Sequence, residues 1–587
     1  MNIRPLIGLA GAIFAAMTVE FNNRISSITL VDIRGEMGIS VDSGYWVSSI
    51  YASAMIIGMI LSTSWAVIFS MRRVLLFAIG LCLFSSVLIP FSPNIEIFYL
   101  LRGLQGLANG LTIPLLMACA LRFLGPEIRL WGLACYALTA TFFPNLSAAL
   151  AAFYLDVIGW KMIFFQTIPF CALSAALVYF GIPQDPLNYS RIKTYDWTGA
   201  ILAIIGLASL STMLLHGNHL DWFHSKLICV LALMSAITLP LFLIHEWRYP
   251  TPLIKPQMLE IRNFGYAVIA LFCFVVIGMS TSTLPLNYLS AVHGYKPTQT
   301  IPLFLIHEWR YPTPLIKPQM LEIRNFGYAV IALFCFVVIG MSTSTLPLNY
   351  LSAVHGYKPT QTMWIGLQIA ALQFIYIPIV IKVLNQAWVD SRYVHGFGLL
   401  LVMVGCLGAS QLDTTWNQDQ FYFWHAISCL GQTCVVLSLL MMGTNSVHPT
   451  MAIYASPMIN TPRAISGVLG VCLLDWVNRV RGEYHSTRLI ENTAQHVFQN
   501  IQGPVINPLT PPVLSADGTE RVSGGLSALN SAIQAQQSVL VISDQYLILA
   551  GLTAILFIVM LILPVRTYPP RIALIKLMNS HNSGKSL

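Results

Sequence analysis

Charge is scarce in this sequence. Of its 587 residues only 9% are Asp, Glu, Lys or Arg, against 56% hydrophobic, and the mean hydropathy is +0.70. A soluble domain carries about 25% charged residues, so a water-soluble globular protein is excluded, and disordered and collagen-like chains with it. Cysteine motifs are missing too. The 11 cysteines all lie in apolar stretches, without a CxxC pair or zinc-type spacing. Packing is their default role, which removes a disulfide scaffold and a metal centre. The sequence also has no Walker phosphate loop, GxGxxG, HExxH or GxSxG, and His245-Glu246 lacks the second histidine of a zinc helix. Those absences leave no ATP-driven engine, no cofactor fingerprint and no enzyme signature. The net charge of +8 is scattered over short loops, so it gives no footprint for nucleic acid.

What is present is a series of long apolar runs. A helix needs about 20 mainly apolar residues to cross a bilayer. Fifteen such stretches occur, from 5–30 to 545–565. They are uninterrupted rather than alternating, which favours helices over a β-barrel. The fold class expected is an all-α polytopic membrane protein. Met1–Val19 has the outline of a signal peptide, with Arg4 before an apolar run, but apolar residues resume at Ile25–Val31. A first spanning helix is the better reading.

One stretch occurs twice. Pro240–Thr300 recurs without a change as Pro302–Thr362, so the unit 239–300 is repeated as 301–362 at an offset of 62. Each unit carries one candidate span, 263–286 and 325–348. Counted once, the unit gives six spans, then two, then six. Fourteen basic residues, Arg72 and Arg73 among them, then fall on one side, against Arg34, Lys161, Lys226 and Lys296 on short loops and helix ends of the other. By the positive-inside rule both termini are cytoplasmic. A fifteenth span would invert every later loop, and only Ile301–Ile306 is apolar between the copies, too short to cross back. One copy is therefore expected to lie displaced from the bundle. Sixty-one consecutive identities indicate a very recent duplication or an error of sequence assembly, which sequencing across Thr300–Ile301 would decide. The domains expected are 1–182, a six-helix bundle; 183–262, a linker and two extra helices; 263–362, the duplicated region; 363–566, the rest of a second bundle; and 567–587, a cytoplasmic tail. A polar segment, 479–544, precedes the last span, and Tyr484–Ile501 within it has the spacing of a surface helix.

Few polar residues interrupt the spans, so each needs an account. Glu20 and Arg24 stand four apart on the first span, in the order that suits an i,i+4 ion pair. A charge at the bilayer centre costs roughly 2.5–3.5 kcal/mol, so both must face a cavity or a partner. They form either a substrate or proton site or a self-neutralising pair. If Arg24 moved away in one transport state, Glu20 would favour its protonated form. Arg102 and Gln105, three apart, share a helix face. Gly106 and Gly110 form a small-xxx-small pair, which more often serves close packing than ligand contact. Asp475 is a weaker site candidate, with simple solvation as the alternative. His425 with Gln432, and Gln368 with Gln373, could line a polar cavity, although satisfied interior hydrogen bonds are the simpler expectation. Pro144 would kink its helix beside Asn145.

Several of these residues carry a resemblance. Trp46-Val47 and Tyr51 follow W-V-x-x-x-Y; Arg102, Gln105, Gly106 and Gly110 follow R-x-x-Q-G-x-x-x-G, with Pro114 beyond. Pro126, Glu127 and Arg129, then Trp160, Phe164 and Pro169, then Asp196, Trp197, Gly199 and Ala200 fit the segments that follow. Glu246, Pro252-Leu253, Asn263-Phe264, Gly294-Tyr295 and Ser543-Asp544 complete the set. Together they resemble the major facilitator superfamily, in its 14-helix drug–proton antiporter branch of the EmrB/QacA type, from about residue 6 to 566. The loop after the second helix departs from G-x-L-x-D-R-x-G-R-R: Val67 replaces the acid and both glycines are gone, leaving Arg72 and Arg73 as its basic pair. The fifth-helix G-P-x-x-G-G is here Phe143-Pro144-Asn145-Leu146-Ser147-Ala148, and Asn22 stands near the position of an Asp.

The resemblance implies a major facilitator fold: two six-helix bundles with two extra helices, plus here one duplicated helix. It implies a proton-coupled secondary transporter of the inner membrane that exports small amphipathic or drug-like molecules by alternating access. Glu20, Arg24, Arg102, Gln105 and Asp475 are then the coupling and substrate candidates, Arg72 and Arg73 the gating loop, and Pro144 and Asn145 the helix-5 kink. Expected partners are the substrate, protons and the bilayer, with a periplasmic adaptor and an outer-membrane channel, and no nucleic acid. The eroded motifs keep two alternatives open: a narrow-specificity metabolite or siderophore transporter, and a transport-inactive membrane receptor or scaffold.

Overall fold

A computed structural model describes residues 4–28, 30–125, 128–138, 142–143, 145–147, 149–150, 159–193, 195–248, 324–386, 388–445, 452–500 and 522–562. Among them every regular element is helical. The reason is physical: a chain in hydrocarbon must bond its own N–H and C=O groups within each segment. Eleven of the helices are long and apolar enough to cross a membrane, and Thr167–Gly181 is a shorter apolar one.

The first half is built from α1 (Arg4–Ile28), α2 (Leu30–Met37), α3 (Val41–Phe69), α4 (Met71–Leu88), α5 (Ile95–Phe123), α6 (Arg129–Leu138), α7 (Trp160–Phe165) and α8 (Thr167–Gly181). Here α3 lies along α5, and α1 packs on α5 and α8. Glycines set the approach: a Cβ on Gly106 would run into the Tyr51 carbonyl, and one on Gly110 into the Met55 carbonyl. The small-xxx-small reading of that pair is thus a packing role. After the short α9 (Ser190–Lys193) comes a helical pair, α10 (Trp197–Gly217) and α11 (Lys226–Arg248). Asp196 caps α10 by accepting the Gly199 N–H at 2.7 Å, and His245 of α11 lies 2.8 Å from the same carboxylate. A Cβ at Gly199 would meet Asp196 and Glu246, so the D-W-x-G pattern describes close packing at the end of this hairpin away from its turn.

The second half holds α12 (Arg324–Ser344), α13 (Leu346–His355), α14 (Pro359–Leu384), α15 (Ser391–Ala409), α16 (Gln418–Asn445), α17 (Ala452–Asn500) and α18 (Val522–Ile562). Here α12 packs on α16, α17 and α18. It belongs to the second copy of the duplicated unit, so that copy occupies the bundle, and its helix Arg324–Ser344 falls on the candidate span 325–348. The first copy's candidate span, 263–286, lies outside the described residues.

Two expectations change. The polar segment 479–544 separates the last two spans, and the helical spacing of Tyr484–Ile501 within it belongs to no separate helix. Instead α17 runs unbroken to Asn500 and α18 starts at Val522, and their polar ends are tied by Arg481–Asp544 at 2.6 Å and His485–Asp544 at 2.7 Å. The basic pair after the second helix is also not in a loop. Arg72 and Arg73 form the first turn of α4, and only Ser70 separates α3 from α4, at φ 75°. The residue that replaces the second glycine still adopts a glycine-type backbone. Its Oγ accepts the Asp185 N–H at 3.3 Å, which helps hold it there.

Candidate functional site

The site candidates of the first half converge on α5. Arg102 is 2% exposed. Its Nη1 donates to Gln105 Oε1, three residues on along the same face, and to the Asn22 carbonyl on α1 at 3.4 Å. The guanidinium carbon sits 4.3 Å from the centre of the Tyr51 ring on α3, a cation–π contact that desolvation strengthens. Gln105 Nε2 passes the chain of bonds to Ser86 Oγ on α4 at 2.8 Å. Asn22 Nδ2 also donates to Ser86 at 3.2 Å, and Thr167 Oγ1 of α8 donates to Asn22 Oδ1 at 3.2 Å. On the other flank Asn109 Nδ2 donates to the Tyr51 hydroxyl at 2.7 Å, and that hydroxyl donates to the Val19 carbonyl at 3.3 Å. Five helices of one half therefore meet in a single buried polar network around a cation.

Glu20 is buried on α1 two residues before Asn22, within electrostatic reach of Tyr51. Arg24 lies one turn further along α1, and its side chain is outside the described residues, so its pairing with Glu20 is not described. Of the other candidates, Asp475 sits on α17 with its side chain exposed. Arg72 lies over the Tyr179 ring at 4.0 Å, while Arg73 is exposed. Pro144 falls outside the described residues. Asn145 is buried, and a Cβ on Gly366 of α14 would lie 2.8 Å from its carbonyl, so this stretch of the first half meets the second half closely.

The second half holds both bonded and unbonded buried polar groups. Gln432 Nε2 donates to Thr343 Oγ1 at 3.0 Å, and Gln368 Nε2 donates to the Tyr422 carbonyl at 2.9 Å, while Gln368 Oε1 has no partner among the described residues. His425 and Gln373 break the expectation of satisfied bonds. His425 is 2% exposed and Gln373 0%, yet neither ring nitrogen of the one nor either amide atom of the other has a hydrogen-bond partner among the described residues. The Gln368–Tyr422 bond fixes the register of α14 against α16, and places Gln373 and His425 within about one helical turn of each other along the two helices. The network residues Asn22, Tyr51, Ser86, Asn109 and Thr167 were not singled out as site candidates from sequence. Tyr51 stood in the W-V-x-x-x-Y pattern and Asn22 near the position of an Asp, while Ser86, Asn109 and Thr167 offered only polarity inside apolar runs, which gives no pairing across helices.

Residues 12–471 match the family described as Major Facilitator Superfamily. The chain is similar to the multidrug export protein EmrB of Haemophilus influenzae, 27% identical over 293 residues that cover 50% of this chain and 57% of that protein. It is similar to the fatty acid resistance protein FarB of Neisseria gonorrhoeae, 27% identical over 439 residues, 72% of this chain and 83% of that one. Against EmrB the matched stretch spans just over half of the relative's length. Among solved structures the human organic anion transporter MFSD10 (TETRAN) aligns at a TM-score of 0.50 and 11% identity, over 94% of this chain and 100% of that chain, a likeness of fold alone.

Proposed function

The chain belongs to the major facilitator superfamily, in its drug–proton antiporter branch, and from that premise we propose that it exports small amphipathic molecules across the inner membrane by proton-coupled alternating access. The observation that carries this reading is the buried cation, Arg102, wired to four neighbouring helices of one half by neutral groups. Buried charge is costly, and it is retained where it does work. Glu20 is the carboxylate on the same wall. Ionised, it offsets the Arg102 charge; protonated, it leaves the network with a net positive charge. Proton uptake thereby changes the electrostatic energy of the wall, which biases the two halves between their orientations. His425 and Gln373 offer donors and acceptors beside the apolar interior of the other half, and bind the polar part of the substrate. Both termini lie on the cytoplasmic side. The paired polar ends of α17 and α18 reach toward a periplasmic adaptor that leads to an outer-membrane channel.

The test is efflux of ethidium from proteoliposomes with an imposed pH gradient. Efflux should follow the gradient, and Glu20→Gln should remove that dependence while dye binding persists. No gradient-driven flux in the unmodified protein, or an unchanged pH response in the variant, would remove the coupled-transporter reading.

A further inference from the structure

The turn between α10 and α11, residues 218–225, touches both halves of the molecule. On one flank His216, at the end of α10, places Nε2 2.8 Å from Ser49 Oγ of α3, and its ring centre lies 4.3 Å from that of Trp46. Ser211 meets Ser53 of α3 at 2.7 Å, and His219 Nε2 lies 2.6 Å from Asp42 Oδ1. On the other flank are bonds to α17. Asn218 Nδ2 donates to the Cys472 carbonyl at 2.9 Å, while Arg479 donates to the Asn218 carbonyl at 3.2 Å and to Asp221 Oδ1 at 2.8 Å. The turn is built for this. Trp222 Nε1 donates to Asn218 Oδ1 at 2.9 Å, and its ring covers Gly217, where a Cβ would lie 2.8 Å from it. Asp221 and Trp222 take φ of 56° and 50°, left-handed backbone at two successive residues that are not glycine. Such strain persists only where the surrounding contacts over-determine it. The hydrogen bond from Arg479 also holds the Asp221 carboxyl below the usual carboxylate range, so the charge pair is formed at neutral pH.

We infer that this turn is a clasp that rides with the first half and releases α17 when this end of the molecule opens, with Asn218, Asp221 and Arg479 as positioning residues of the transport cycle. The inference rests on the alternating-access reading for its purpose. The asymmetry of the two flanks carries it. The α3 flank is anchored by buried bonds, Ser49–His216 and Ser53–Ser211, along the length over which α10 packs on α3. On the α17 flank α10 also packs on α17, but the polar links of the turn itself are the Arg479–Asp221 pair, with side chains 42% and 59% exposed, and two bonds of Asn218. Water competes for an exposed pair, so its rupture costs little. At the opposite end of the seam the halves meet directly: Tyr136 donates to Asn460 at 2.6 Å, Arg463 to Tyr136 at 2.9 Å, and Ser456 to the Pro114 carbonyl at 2.6 Å. At the end where α3 begins, the turn adds polar links to α17 beside the direct packing of α3 on α17.

Spin labels test the clasp directly. Cysteines replacing Val41 on α3, Phe223 in the turn and Val480 on α17 take nitroxides at exposed positions, with Cys229→Ser as background. Distances by pulsed electron resonance on the full chain in lipid should give one population for turn to α3 and two for turn to α17. Asp221→Asn should raise the wider turn–α17 population about two- to fivefold, and leave turn–α3 unchanged. A turn that separates from α3 while staying with α17, or an Asp221→Asn variant without effect on either distance, overturns the clasp. Ethidium efflux from the same preparations keeps the two readings apart. Two turn–α17 populations without gradient-driven efflux keep the clasp and remove the transport reading; efflux with a single turn–α17 distance does the reverse.

Discussion

The Arg102 cluster of the first half and the His425–Gln373 pair of the second differ in how far their buried polar atoms are bonded. In the first half a cation, three amides, two hydroxyls and a phenol bond one another across α1, α3, α4, α5 and α8, with only Arg102 Nε and Asn109 Oδ1 of this cluster left without a partner among the described residues. In the second half some groups are equally well served: His395 lies 2.6 Å from the Tyr328 hydroxyl and 3.0 Å from Ser438. His425 and Gln373, as deeply buried, have no partner among the described residues. A buried polar atom without a partner costs about 1–3 kcal/mol. The contrast separates two jobs. A closed network stores charge and transmits its change; open donors and acceptors recognise something else.

The largest effect should come from breaking the closed side. Arg102→Met removes the cation and leaves the Asn22 carbonyl and Gln105 Oε1 without their donor. Gradient-driven ethidium efflux should fall at least ~100-fold, far more than a stability change of a few kcal/mol would produce in folded protein. Arg102→Lys keeps the charge but loses the planar fork and the ring stacking, and should still cost about tenfold. Near-normal efflux in both variants would leave the first half a merely structural knot. An intermediate effect of opposite signs tests the contrast itself. Gln105→Leu deletes two made bonds and should destabilise the protein by about 1–3 kcal/mol, whereas Gln373→Leu deletes two unmade ones and should stabilise it by a similar amount. Thermal unfolding in detergent reads both. A loss of stability at Gln373 would mean that the second half is wired after all.

The fold was largely legible because the bilayer imposes its own arithmetic. Apolar runs of the right length, with basic residues sorted to one side, leave little freedom in where helices lie. Arg102 with Gln105 was legible too, since three residues along a helix share a face. Other features depend on what lies across a groove. Nothing in the spacing of Asn22, Ser86 and Thr167 says that they meet, because their separations in sequence are fixed by intervening helices. Gln373 and His425 looked like ordinary satisfied interior groups; only the packed structure shows which polar atoms find a partner. The two copies of the repeat are identical over 61 residues, so no property of the unit itself could choose between them. Connectivity can: the second copy alone runs through Gly356–Lys358 straight into α14, and a helix tethered by so short a turn packs beside its neighbour. Ser70 was visible as a lost glycine, but the survival of the glycine-type backbone was not.

The finest distinction is in coupling. Asn22→Ala and Gln105→Ala each remove a donor to Ser86, so each variant should alter what the other residue can do. A double-mutant cycle on thermal stability should return about 0.6 kcal/mol, the typical size for polar contacts within membrane bundles, and up to about 1.7 kcal/mol if Arg102 relays the effect. The same cycle on His425→Ala and Gln373→Ala should return zero within about 0.5 kcal/mol, because neither residue bonds the other or any shared partner. Adding ethidium sharpens the test. A ligand that bridges the two side chains creates the shared partner they lack, so the second cycle should acquire coupling with dye present while the first stays as it was. Coupling in the second half without dye would show that the two side chains already meet. No coupling with dye would place the recognition groups elsewhere on that half.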